Sequence, residues 1–398
     1  MPEETRTPEA DLLAAPVTAV VLSGGGARGA YQVGVLRWIA QQYPELCLPI
    51  LTGVSAGAIN AAFLAGRPEP LPEALELLAD MWGNLSTEEI LRADVFSLLG
   101  NAFKVVMNLG SGGAKLAPQV RGLVDTTPLE RTLKRALNPA GIADNISQGK
   151  LTAVAVSATS YGTGRTVTFV QSAAGIPMWE RTRLHSVATN VDVDHVMASS
   201  AIPLFFPAQS VEGEWYGDGS LRQGSPLAPA VYLGADRILV VSSRYGTGAR
   251  EMPGKDDDGY PPAAQVLGLM LNSIFLDNLD ADAERLERIN EIVARVPPER
   301  QWLVSERQVR MLVLRPSSDL GRLAARFEDR LPRGLRYLIR GLGTRRVASP
   351  DLLSYLMFEG DYLCELIRLG ERDAEKNWLR IKRFLDDRNA PDTPSESA

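Results

Sequence analysis

The sequence predicts an α/β protein with a mainly parallel sheet, and three observations predict it. The apolar run Val17-Thr18-Ala19-Val20-Val21-Leu22 is short and runs straight into glycines, as a buried strand does. A second short run, "LPILTG", leads at once into the small-residue stretch "AGAINAAFLAG". Further apolar runs recur downstream with helical patterns between them. Strand, loop, helix, strand, helix in that order implies parallel pairing with right-handed crossovers.

The elements follow in order. After the first strand, "AYQVGVLRWIAQQY" has helical spacing, with Val33, Leu36, Trp38 and Ile39 as expected core contacts. Strands are expected at 151–159, 166–170, 237–243 and 309–317, and helices at 128–137 and 225–235. From Pro261 to Val296 a long helical pattern runs, apolar first and charged later. The stretch 349–385 reads as two terminal helices broken near Gly360. The expected division is a disordered segment 1–16, a catalytic α/β core 17–250, a mainly helical region 251–388 packed on it, and a disordered tail 389–398. The acidic "GKDDDGY" at 254–260 reads as a junction loop.

Bulk properties narrow the function. The chain has 398 residues, enough for a large core, and its 45% hydrophobic and 23% charged content is ordinary globular usage. A net charge of −6 argues against a general nucleic-acid binder, which carries a basic footprint. The two cysteines, Cys47 and Cys364, sit in apolar patterns and are expected to be buried free thiols, which points weakly to a reducing, cytoplasmic setting. The acidic, proline-bearing N-terminus has no signal-peptide pattern. No apolar run approaches the roughly 18 residues of a spanning helix.

The loop "SGGGARGAYQVG" at 23–34 poses the chemical question. Gly24, Gly26 and Gly29 satisfy G-x-G-x-x-G, but the second strand ends without the carboxylate that a dinucleotide ribose needs. No Gly-Lys-Ser/Thr follows, so a phosphate-binding P-loop fails too. An oxyanion formed during a reaction needs a nucleophile nearby. "GVSAG", Gly53 to Gly57, supplies Ser55 between a strand and a helix, the context of a nucleophile elbow. An ordinary serine in a turn is the alternative. His185 and His195 are the only histidines, and Asp218 lies beyond both, so the Ser–acid–His order fails unless an earlier acid serves. Each histidine reads more readily as a surface or capping residue than as a base.

"GGGARG" (24–29), "GVSAG" (53–57) and "YGDGS" (216–220), in this order, resemble the patatin-like phospholipases. "ASSAIPLFFPA" (198–208) and "LVDTTPLERTL" (123–133) strengthen the likeness, which covers about residues 17–243. "RPSSDLG" and "LLSYLMFEGDYLCELIRLG" are similar to C-terminal segments of bacterial members. The resemblance implies a three-layer α/β/α fold and a Ser–Asp dyad that works without histidine. It makes Ser55 the nucleophile and Asp218 its base. It assigns Gly24, Gly25, Gly26 and Arg28 to the oxyanion-hole stretch, with Gly53, Gly57 and Gly219 supporting the turns. Ser220 departs from the glycine or alanine usual after the Asp-Gly pair.

The chemistry expected is acyl transfer from a phospholipid or other acyl ester to water, with neither metal nor organic cofactor. Arg28 is expected to anchor the loop through bonds to carbonyls. With no imidazole to keep neutral, activity is expected to persist below pH 6 better than in a Ser–His enzyme. The apolar stretch 95–116 reads either as a lid or as a core helix with its loop. The stretch 315–347 carries nine arginines against three acids, and reads either as a peripheral membrane contact or as a solvated face.

Overall fold

A computed structural model describes residues 16–92, 122, 124–203, 205–245, 262–344 and 350–386. The stretch 95–116, read as a lid or a core helix, the junction loop at 254–260, the tail at 389–398 and all but residue 16 of the N-terminal segment lie outside the described residues.

The strands among the described residues form one sheet. They are β1 (Thr18–Leu22), β2 (Ile50–Val54), β3 (Ala153–Ser160), β4 (Thr166–Ser172), β5 (Leu184–Ala188), β6 (Gln209–Val211), β7 (Glu214–Asp218), β8 (Arg237–Val241) and β9 (Arg310–Leu314). Their order is β5-β4-β3-β2-β1-β8-β9, with β7 joined to β3 and β6. Pairing is parallel from β3 through β2, β1 and β8 to β9, and antiparallel where β3 meets β4 and β7.

Side-chain alternation divides the core in two. Val20, Leu22, Val154, Val156, Leu239 and Val241 face one cluster, shared with the helices Gly29–Gln42, Ala56–Ala65, Leu71–Gly83 and Gly360–Lys376. Ala19, Val21, Ala153, Ala155, Ile238 and Val240 face another, covered by the helices Ala228–Tyr232 and Asn278–Ala294. Successive strand residues point to opposite faces, so both faces must be covered when both are apolar. The result is helix, sheet, helix in three layers.

Several local expectations change. Cys47 is exposed and Cys364 only half-buried, because the apolar neighbours of Cys47 are loop residues ahead of β2. Trp38 is also half-buried, edge-on to Trp378 at 5.2 Å. The helix expected over 225–235 shrinks to Ala228–Tyr232, and the terminal stretch breaks twice, into Asp351–Leu356, Gly360–Lys376 and Trp378–Asp386. Strands β5, β6 and β7 were not foreseen. The hairpin β6–β7 turns on Glu212 and Gly213, both with positive φ (49° and 83°), a two-residue turn that matches strand twist. In the arginine-rich stretch, Arg315, Arg322, Arg330, Arg336 and Arg340 each pair with an acid, which reduces the free charge on that face. No helix among the described residues is long and apolar enough to cross a membrane.

Candidate active site

Ser55 stands where β2 ends and the helix Ala56–Ala65 begins, with φ 56° and ψ −126°. A left-handed backbone at a non-glycine residue costs on the order of 1–3 kcal/mol and persists only where its surroundings enforce it. The enforcement is visible. A side chain on Gly53 would begin 2.2 Å from Gly57 O, and one on Gly57 would begin 2.1 Å from Leu22 O. Ser55 N donates to Ser199 Oγ at 2.9 Å, and Ser199 Oγ donates to Ser157 O at 2.6 Å. The helix Val193–Ser199 therefore pins the turn from its C-terminal end.

Asp218 arrives by strand register. β2 runs along β3 until Val54 opposes Ser157. β7 then takes over the same edge from the other direction, with Asp218 opposite Ala158. Two strands thus end head to head, and the residues at their tips are Ser55 and Asp218. Asp218 N donates to Ala201 O at 2.9 Å, and Thr159 Oγ1 donates to Asp218 O at 2.9 Å. A side chain on Gly219 would begin 2.1 Å from Ser157 O, so the turn after Asp218 closes tightly on β3.

The carboxyl is fully buried. Its Oδ1 accepts from Ser220 N at 2.9 Å, so serine keeps the turn. Its Oδ2 has no hydrogen-bond partner among the described residues. The Ser55 hydroxyl lies near enough to favour the ionised carboxylate, although no bond of full geometry joins them. The two groups approach closely without a formed bond. Burial pushes the Asp218 carboxyl from 3.8 up to about 7, against the opposing pull of Ser55 and Ser220. The expected acid tolerance does not follow, because a desolvated carboxylate takes up its proton in the same range as imidazole.

The glycine loop lies over both residues. A side chain on Gly24 would begin 2.6 Å from Ser220 Oγ and 3.3 Å from Ser55 Cβ. Ser243 Oγ donates to Gly24 O at 2.6 Å, and Gln32 Nε2 donates to Ser23 O at 2.7 Å, which orients the loop carbonyls. Gly25 and Gly26 have φ 154° and 56°. No hydrogen bond engages Gly25 N–H or Gly26 N–H among the described residues. Arg28 is buried, and its partners are Asp351 and Ser354 rather than the carbonyls expected.

A narrow apolar cleft opens beside Ser55. Ile59, Trp82, Leu129, Leu133, Ile202 and Phe206 form much of its wall. The histidines lie elsewhere. His195 Nδ1 lies 2.6 Å from Asp192 Oδ1 at the start of its helix, with its ring edge-on to Phe169, and His185 lies on β5. Sequence reasoning missed the parts played by Ser199, Thr159, Ser243 and Gln32. Ser199 falls inside the quoted "ASSAIPLFFPA" run, but nothing in that run marks its hydroxyl as the support of Ser55 N.

Residues 20–231 match the patatin-like phospholipase family. Similar solved structures include human GIVD cytosolic phospholipase A2 in complex with methyl gamma-linolenyl fluorophosphonate, at 14% identity and a TM-score of 0.45, covering 93% of this chain and 59% of that one. The chain thus spans about three-fifths of that protein. VipD from Legionella pneumophila is similar at 13% identity and a TM-score of 0.31, over 89% of this chain and 67% of that one. The type III effector ExoU follows at 15% and 0.29, over 90% and 54%. No curated protein sequence matches.

Proposed function

The chain belongs to the patatin-like phospholipase family, and from that premise we propose that it is a serine lipid acyl hydrolase in which Ser55 is the nucleophile and Asp218 its base. One observation carries the reading: a strained serine and a buried carboxylate end two strands that abut along β3, beneath a glycine loop whose Gly25 and Gly26 N–H groups are uncommitted among the described residues.

In the first step Asp218 takes the hydroxyl proton as Ser55 Oγ attacks an ester carbonyl carbon. The carbonyl oxygen becomes an oxyanion, which Gly25 N–H and Gly26 N–H receive. When it collapses, the bond to the alcohol breaks and Asp218 returns the proton to the leaving oxygen. Water then attacks the acyl-serine, giving its proton to Asp218, and the serine is regenerated with that proton. A carboxylate is ordinarily a weak base for this task. Desolvation corrects that, since a base near 7 is matched to neutral pH. The first N–H groups of the helix Ala56–Ala65 add a positive end beside the nucleophile. The oxyanion donors carry the largest share, with loss of one typically lowering the rate about 10²- to 10³-fold.

The apolar cavity beside Ser55 suits an acyl chain, which makes lipid esters the substrate class. The test is hydrolysis of short-chain p-nitrophenyl esters and labelling by a fluorophosphonate probe. Ser55→Ala and Asp218→Asn, both folded, are expected to lose turnover. Substantial turnover by Asp218→Asn would overturn the base. Absence of labelling in the wild type would favour a silent lipid-binding protein of the same fold. Acyl transfer to added glycerol or lysolipid in place of hydrolysis would make it an acyltransferase.

A further inference from the structure

The glycine loop is tied to one short helix, Asp351–Leu356, which lies outside the residues that match the family. Arg28 Nε donates to Ser354 Oγ at 2.8 Å, and Arg28 Nη2 donates to Asp351 Oδ1 at 2.7 Å. The guanidinium carbon sits 4.1 Å from the centroid of the Tyr355 ring. A second contact is direct, since a side chain on Gly26 would begin 2.3 Å from Tyr355 O.

The far side of the anchor is also held. Asp351 Oδ2 accepts from Asn272 Nδ2 at 2.9 Å, and Tyr355 OH donates to Asn272 Oδ1 at 3.0 Å. Ser354 Oγ donates to Asp351 O at 2.6 Å. Each oxygen of the Asp351 carboxylate thus has a partner, and its position is set from two elements. On the loop side, Arg28 N donates to Gly25 O at 3.1 Å, closing the turn that contains Gly26. A shift of Arg28 is therefore a shift of the Gly25 and Gly26 amides.

We propose that Asp351 is a positioning residue for the reaction: acting through Arg28, it sets where the oxyanion donors of the glycine loop stand. The inference rests on the acyl-hydrolase reading above. It deepens that reading by making a segment beyond the family match part of the active site. Asp351, Ser354 and Tyr355 do not line the apolar cavity, and the anchor reaches it only through Gly26, so its main effect falls on the loop donors.

The test compares Asp351→Asn, Arg28→Gln, the double variant and Ser354→Ala in the full chain. A misplacement of about 1 Å costs about 10²-fold, so kcat of Asp351→Asn is expected to fall about 10- to 100-fold, with KM for a p-nitrophenyl ester within about threefold. The rate of fluorophosphonate labelling should fall in parallel, because the phosphonyl oxygen uses the same donors. Affinity for a non-hydrolysable ether analogue should not change. The double variant should lose no more than Arg28→Gln alone, because both act through one link. Ser354→Ala leaves the ion pair intact and keeps a folded protein for comparison, with an expected loss of about three- to tenfold. Wild-type labelling in folded Asp351→Asn, or in Ser354→Ala should Asp351→Asn not fold, overturns the proposal. So do multiplying losses in the double variant. Ser55→Ala separates the two readings. If it still labels, the hydrolase reading falls; if it is silent while the anchor variants behave as wild type, only the anchor fails.

Discussion

Replacing Asp218 with asparagine should stabilise the fold at alkaline pH while abolishing catalysis. The wild-type carboxyl is fully buried, and burial raises it from 3.8 to about 7. A folded state that holds its proton more tightly than the unfolded chain loses stability as pH rises. The wild type bears no penalty below about pH 4, where both states are protonated. The penalty grows between about 4 and 7, and it is complete above 7. At about 1.36 kcal/mol per pH unit the full effect is about 4 kcal/mol. Asparagine carries no such ionisation and can still accept from Ser220 N, the bond that Oδ1 makes in the wild type at 2.9 Å. Urea denaturation of both proteins from pH 4.5 to 8.5 should therefore show the variant gaining on the wild type by about 3 kcal/mol across that range. Parallel curves would refute the reasoning. They would mean that the hydrogen bonds to the carboxylate, and not its desolvation, set its protonation.

Other outcomes follow from the same geometry. The acidic limb of kcat/KM is expected near the Asp218 value of about 7, and Ser220→Ala should move it upward because the serine hydroxyl favours the ionised carboxylate; an unmoved limb in a pH–rate series counts against that contact. Gly57→Ala should unfold the elbow or abolish activity, since its Cβ would meet Leu22 O at 2.1 Å, and circular dichroism with an ester assay would report both. Ser199→Ala removes the acceptor for Ser55 N and is expected to lower kcat about tenfold with little change in KM, at a stability loss of about 1–2 kcal/mol. Ile202→Trp narrows the apolar cavity beside Ser55, so activity toward long-chain esters should fall more than toward short-chain ones in a chain-length series.

Much of this was legible in the residues. The runs at 17–22, 237–243 and 309–317 became β1, β8 and β9 because short apolar stretches bounded by turns have few other folded fates. The elbow at Ser55 could be read because glycines at 53 and 57 answer a local demand for close approach. β5 and the β6–β7 hairpin escaped notice because their residues are mixed in character and their turn is made by Glu212 and Gly213. Arg28 could be singled out, but its partner could not, since Asp351 is an unremarked acid in a distant helix.

The sequence by itself determined the alternation of strand and helix, the apolar faces that call for three layers, and the two turns able to present Ser55 and Asp218. Those are local properties, written in spacing and in residue size. Tertiary structure alone decided that β2 and β7 share one edge of β3, that Asp218 loses its water, and that Arg28 is held by Asp351. Each of these depends on which distant segments come into contact, and burial and proximity are properties of the assembled chain that no local pattern encodes.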